Sequence, residues 1–182
     1  MNSPVRTLLV LLAAALAVAI GAQVSLPVPG SPVPQTLQTL AVVLAGAWLG
    51  SIRGPMALIL YVIIGAAGAP VFADGGFGME HLTGPTAGYL AGFVLGAAVM
   101  GAWVRGAWGK TFVGAFVGAV VAHIVILGLG WLPLAASMGE GQAFNAGVQP
   151  FLVGGLAKSL VAAALWVAVP RPAPAPEDDE QS

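Results

Sequence analysis

The chain has no cysteine, which excludes disulfide scaffolding, thiolate chemistry and cysteine-ligated metal sites. Charge is nearly as scarce. Only 7% of the 182 residues are Asp, Glu, Lys or Arg, against about 25% in an ordinary soluble domain. Seven acids are present, and four of them form the run EDDE near the C-terminus, Glu177 to Glu180. Ahead of that run stand only Asp74, Glu80 and Glu140. No basic patch of the kind nucleic acid requires is present. His123 has no second histidine or carboxylate at ligand spacing, which argues against a metal site. No serine has a base at fixed spacing, so no catalytic pair is visible and an enzyme is not expected.

What is present instead is apolar length. Hydrophobic residues make up 58% of the chain and the mean hydropathy is +0.94, which places it in the membrane class. Six spans are predicted: Val5 to Val24, Thr36 to Leu49, Pro55 to Ala69, Pro85 to Val104, Lys110 to Leu129 and Gln149 to Val169. The first, fourth, fifth and sixth are long enough for a bilayer core of about 30 Å at about 1.5 Å per residue. The second and third are short, and either tilt little, extend into their loops, or form a hairpin that does not fully cross. The rival reading of residues 1–26 is a cleaved signal peptide. The abundance of glycine (26 residues) and alanine predicts close helix packing, because lipid tails give no hydrophobic drive between helices and small residues let backbones approach.

With the N-terminus cytoplasmic, Arg6, Arg53, Arg105, Lys110 and Arg171 all fall at cytoplasmic ends, and Asp74, Glu80 and Glu140 all fall outside. This agrees with the positive-inside rule, and Trp48, Trp103, Trp108 and Trp166 gather near the same cytoplasmic interface. The fold expected is an all-α membrane protein, six transmembrane helices in a compact bundle over residues 1–170, both termini cytoplasmic. Residues 171–182, Pro/Ala-rich and then acidic, form a disordered tail.

Several motifs have a plain reading beside a functional one. GKT at 109–111 resembles part of a phosphate loop, but the glycine needed five positions earlier is Val104 and no strand precedes it. Lys110 reads better as an interfacial anchor. Gly84, Gly88, Gly92 and Gly96 make one smooth helix face, which suits packing. TGPT opens the fourth span, with Pro85 suited to a first turn and Thr83 or Thr86 able to satisfy free amides. His123, inside the fifth span, reads as a hydrogen-bonded packing residue. Ala13/Ala17 and Ala15/Ala19 line the first span at spacing four, either for internal packing or for docking to another membrane subunit. Lys158 is the only charge between Gln149 and Val169, roughly 13 Å below the outer end of its helix. A charge at mid-helix costs about 2.5–3.5 kcal/mol on insertion scales. It either reaches a carbonyl or outer-loop acid, or forms the floor of an outward-facing pocket.

Four blocks in order, PVPQTLQTLAVVLAGAWLG (32–50), GAPVFADGG (68–76), GPTAGYLAGF (84–93) and PFLVGGLAK (150–158), resemble the BioY biotin-transporter family, substrate-binding S-components of energy-coupling-factor importers. The resemblance runs from about Ala13 to Lys158. It implies a six-helix bundle in a prokaryotic plasma membrane with an outward-facing biotin pocket, roofed by the loops after spans one and three. It implies no cofactor, with biotin as transported ligand, and as partners the surrounding lipid, a transmembrane T-component and paired ABC-type ATPases. The Ala-rich first helix is the family's docking surface, which makes Ala13, Ala15, Ala17 and Ala19 the candidates.

Biotin carries an apolar bicycle, a ureido edge and a carboxylate, and a site for it needs apolar walls with a few placed polar groups. Phe72, Phe77 and Tyr89 can supply walls, Gln35, Gln38, Thr39 and Thr86 hydrogen bonds, and Lys158 the charge. Two positions depart from the family pattern. Gly155 stands where an aspartate is common three residues before the lysine, and Gln35 stands where an apolar residue is usual. Asp74 is a candidate to replace the missing acid in part. An S-component for a different vitamin, and a structural or channel-like bundle, are the competing functions.

Overall fold

The computed structural model describes residues 3–169; the tail at 171–182, including Arg171, lies outside the described residues. The chain runs through α1 (Ser3–Gln23), a two-residue antiparallel pair β1 (Ser25–Leu26) and β2 (Gln35–Thr36), α2 (Gln38–Ala66), α3 (Ala87–Trp103), α4 (Phe112–Met138), the short α5 (Glu140–Gly147) and α6 (Phe151–Ala168), with 3₁₀ turns at Ala73–Gly75, Met79–Leu82 and Trp108–Lys110. In the ribbon Ser25 pairs with Thr36 and Leu26 with Gln35.

Four of these helices are long and apolar enough to cross a membrane, α1, α2, α4 and α6, and α3 is a shorter apolar helix. The surface supports the same environment. Leu8, Leu12, Leu16 and Ile20 on α1 and Ile52, Met56, Ile59 and Ile63 on α2 are exposed, while Ala15, Ala22, Ala45, Ala97, Ala119 and Ala122 are buried. Large apolar side chains outside and small ones inside is the inverse of a soluble bundle, and suits lipid as solvent.

α2 is two helices folded on each other. At Gly50 the backbone takes φ 84°, ψ −179°, a region that glycine enters without a Cβ penalty. Residues eight apart on a straight helix are about 12 Å apart, yet a Cβ built on Gly54 would sit 2.9 Å from Gly46 Cα. The halves 38–49 and 51–66 are thus a hairpin turning at Gly50, corresponding to the second and third predicted spans. Pro55 lies inside the second half, five residues past the Gly50 turn.

The glycine face of the fourth span packs on α4, as its plain reading expects. A Cβ on Gly92 would come 2.9 Å from Ile126 Cα, one on Gly96 2.9 Å from Ile126 Cγ1, and one on Gly88 2.8 Å from Pro133 Cδ. Gly84 lies before the helix. Thr83 and Thr86 do not cap it: their hydroxyls donate to Glu80 O at 3.3 Å and His81 O at 3.2 Å, because the turn preceding α3 brings those carbonyls closer than the helix amides. α4 continues beyond the expected end at Leu129, through Pro133 to Met138.

At the Gly50 end, Arg105 approaches the turn, Trp103 and Trp108 rings lie 5.9 Å apart, Trp103 Nε1 donates to Gly114 O at 2.8 Å and Trp166 Nε1 to Gly109 O at 3.1 Å. GKT belongs to this cluster: Thr111 caps α4, accepting from Gly114 N at 3.0 Å. The opposite end carries the ribbon, the 67–86 connection and α5, and with them Asp74, Glu80 and Glu140.

Candidate functional site

At that opposite end a cavity of about 370 Å³ opens between the helices, within the range of small-molecule sites. Its floor is polar and small: Thr36 from β2, Thr39 from the first turn of α2, His123 from α4, Gly155 and Lys158 from α6. Tyr89, Leu90 and Phe93 of α3, Ile126 of α4 and Phe151 of α6 form apolar walls. The mouth is covered by Pro32, Val33 and Pro34 before β2 and by Phe72, Ala73, Asp74, Gly76 and His81 between α2 and α3.

Lys158 is half-buried. Its Nζ donates to Thr36 O at 2.8 Å and Thr39 Oγ1 at 2.9 Å. Two partners leave one ammonium hydrogen over. Among the described residues Lys158 forms no ion pair, with Asp74 or any other acid. Asp74 sits in the roof with φ 55°.

The roof is held by side chains that reach across the loops. Tyr61 donates its hydroxyl to Val71 O at 3.0 Å and accepts from Gln38 Nε2. Its ring meets Phe72 edge-on at 5.5 Å, and the His81 ring lies 5.2 Å from that of Phe72. Phe72 fits against Gly65, where any side chain would strike its ring. From α1, Gln23 Nε2 donates to Phe72 O at 3.1 Å while its Oε1 accepts from Gly75 N at 3.2 Å. In the wall, Tyr89 donates its hydroxyl to Gly147 O, so its ring is fixed against Phe151 at 6.3 Å.

Of the residues picked from the sequence, Lys158, Tyr89, Asp74, Phe72, Gln38, Thr39, Thr86 and Gly155 line this one cavity. Phe77 and Gln35 do not. Phe77 is 53% exposed, carried outward between Gly76 and Gly78. Gln35 lies in β2, and its amide packs against Gly154 on α6. The alanine set also divides. Ala15 and Ala19 are buried, 3% and 8% exposed, and lie at the base of a shallow apolar groove with Leu12, Leu16, Tyr61, Ile64 and Val71. Ala13 and Ala17 are exposed. At 100° per residue the two pairs lie on opposite sides of α1. His123 is hydrogen-bonded, to Ala119 O at 2.9 Å and Thr39 Oγ1 at 3.2 Å, and it lines the cavity as well. Tyr61, His81 and Phe151 were not picked. The available signal for Tyr61 was its type: a tyrosine inside an apolar span needs a partner for its hydroxyl.

The geometry defines a class, a membrane bundle enclosing a small-molecule site that is apolar on its walls and cationic at its floor. The comparisons narrow it. The sequence pattern of the BioY family matches residues 1–175. The chain is 38% identical over 160 residues to the biotin transporter BioY of Rhodobacter capsulatus, covering 81% of this chain and 84% of that protein. It is 36% identical over 143 residues to the probable biotin transporter BioY of Pyrococcus horikoshii, covering 79% and 83%. The fold matches the 2.1 Å crystal structure of the S-component for biotin from an ECF-type ABC transporter, with a TM-score of 0.80 at 19% identity over 92% of this chain and 93% of that one. The chain belongs to the BioY family, a family of membrane transporters and not of enzymes.

Proposed function

We propose that this chain is the biotin-binding subunit of an importer in a prokaryotic plasma membrane. In this reading it crosses the bilayer six times: α1, the two halves of α2, α3, α4 and α6. Both termini are cytoplasmic. The Gly50 end, with Arg53, Arg105, Trp103, Trp108 and Trp166, then faces the cytoplasm, and the cavity opens outward. A separate T-component and ABC-type ATPases supply the energy, with the exposed Ala13/Ala17 face of α1 as the docking surface.

The observation that carries the reading is the half-buried Lys158, whose third hydrogen is left over beside an apolar cavity. A charge so placed is a functional hypothesis by default. The carboxylate of biotin supplies the missing counter-charge, and a charge-assisted hydrogen bond is roughly twice as strong as a neutral one. The bicycle lies among Tyr89, Phe93 and Phe151. Gln38 and Asp74 face the ureido edge as acceptors, and Thr86 adds a hydroxyl at the wall. Asp74 thus serves the ligand rather than Lys158.

The test is a vitamin panel by thermal shift on detergent-purified protein, followed by equilibrium binding of labelled biotin. A ligand that binds only the folded state raises stability by RT ln(1 + [L]/Kd). Biotin alone should shift the transition and saturate one site, and Lys158→Ala should abolish the shift. A shift by another vitamin would favour the second reading, an S-component of different specificity, which Gly155 supports by leaving the lysine without a carboxylate neighbour. No shift by any vitamin would leave a structural or channel-like bundle.

A further inference from the structure

Gln38, His123 and Ser159 are polar side chains buried among the described residues. Gln38 is engaged by Tyr61. The other two join Thr39 and Lys158 in one line of hydrogen bonds, and donor chemistry sets the direction of each. The Ala119 carbonyl can only accept, so the ring nitrogen facing it at 2.9 Å, Nδ1, carries the hydrogen. Ser159 gives its own hydrogen to Gly155 O at 2.8 Å, so it faces Nδ1 as a second acceptor at 3.0 Å. Across the ring, Nε2 faces Thr39 Oγ1 at 3.2 Å. Thr39 Oγ1 already accepts from the Lys158 ammonium at 2.9 Å, and an ammonium has no lone pair to receive anything back. The Thr39 hydrogen is therefore directed at Nε2, and the ring is neutral. A proton on Nε2 would instead set two cations around one hydroxyl, with Lys158 unpaired to any acid.

We infer that His123 is a positioning residue for ligand capture: by taking the Thr39 hydrogen it holds that hydroxyl as an acceptor for Lys158 and aims the remaining ammonium hydrogen into the cavity. Without the ring acceptor, the Thr39 hydroxyl is free to turn and bond to its own helix backbone, as threonines in helices do. The ammonium then loses one of the two partners that orient it. The inference rests on the proposal that the cavity takes an acid.

Two measurements test it. The first needs no ligand. Protein labelled with ¹⁵N-histidine, carrying His81→Gln so that one ring signal remains, should report a neutral imidazole with its hydrogen on Nδ1. Hydrogen on Nε2, or on both nitrogens, overturns the inference. The second compares biotin with biotin methyl ester. His123→Phe should lower the preference for the acid about tenfold, the scale of one hydrogen bond to a charged group. His123→Gln, whose amide oxygen reaches the Nε2 position, should restore most of it. His123→Phe combined with Thr39→Val should lose little more than either alone. If His123→Phe weakens acid and ester equally, the histidine is structural and the inference fails. Wild-type protein that binds neither compound overturns the biotin proposal instead, and the ring measurement still decides the hydrogen-bond direction.

Discussion

Around the Lys158 ammonium stand a backbone carbonyl and a threonine hydroxyl, both 2.8–2.9 Å away and both neutral. Neutral oxygens solvate a cation without cancelling its charge, so the site remains attractive to a carboxylate. Replacing Lys158 with alanine should weaken biotin binding by at least ~30-fold, the cost of truncating one partner of a desolvated charged pair, and should leave biotin methyl ester much less affected. Equilibrium binding of both compounds checks this. Tyr61→Phe removes the hydroxyl that joins Gln38 to Val71 O; it should destabilise the protein by about 1 kcal/mol, read as a lowered thermal midpoint. These residues differ in how legible they were. Lys158 announces itself because a charge in an apolar run has few explanations. Tyr61 does not, because its acceptor is a main-chain carbonyl that no residue type marks. Gln35 and Gln38 were both named for their hydrogen-bonding amides, but only Gln38, at the start of α2, reaches the cavity.

At the α3–α4 contact, glycine brings the elements together. α3 lies so close to α4 that a Cβ on Gly92 would come within 2.9 Å of Ile126 Cα and 3.0 Å of its carbonyl oxygen. Main chain cannot step aside as a flexible side chain can. Gly92→Leu should therefore cost about 1–3 kcal/mol by overpacking, whereas Gly128→Ala, with nothing within 4 Å of the new Cβ, should be neutral. Thermal unfolding of the two variants in one detergent gives the comparison. The glycine spacing made the α3 face readable from sequence, and the partner helix was not, since nothing in a ladder names what it meets. The hairpin in α2 was half-visible as two short spans. The extra length of α4 was hidden by Pro133, which reads as a terminator yet is accommodated where Gly88 leaves room. α5 lacks a long apolar run and gave no signal.

At the scale of the molecule, charge is sorted by end. Arg53, Arg105 and Lys110 accompany the Gly50 turn, while Asp74, Glu80 and Glu140 accompany the cavity mouth. That sorting was legible because a bilayer taxes every charge inside it and leaves the few survivors at the edges. The absence of cysteine provides a clean test of orientation. Single cysteines at Arg53 and Arg105 should react only with membrane-permeant thiol reagents in intact cells, and at Asp74 and Glu140 with impermeant ones. The reverse pattern would put the cavity on the cytoplasmic side.

Gln23 ends α1 and clasps the covering segment through Phe72 O and Gly75 N, while residues on the same helix, Ala13 and Ala17, are exposed. α1 is thus joined by two hydrogen bonds to the segment that covers the cavity. Severing it with Gln23→Ala should speed biotin escape several-fold with little change in capture rate, measurable by chase with unlabelled vitamin. If α1 is the docking helix as proposed, a slowed or hastened chase on adding the partner subunit would read the same two hydrogen bonds from the other end of the rod.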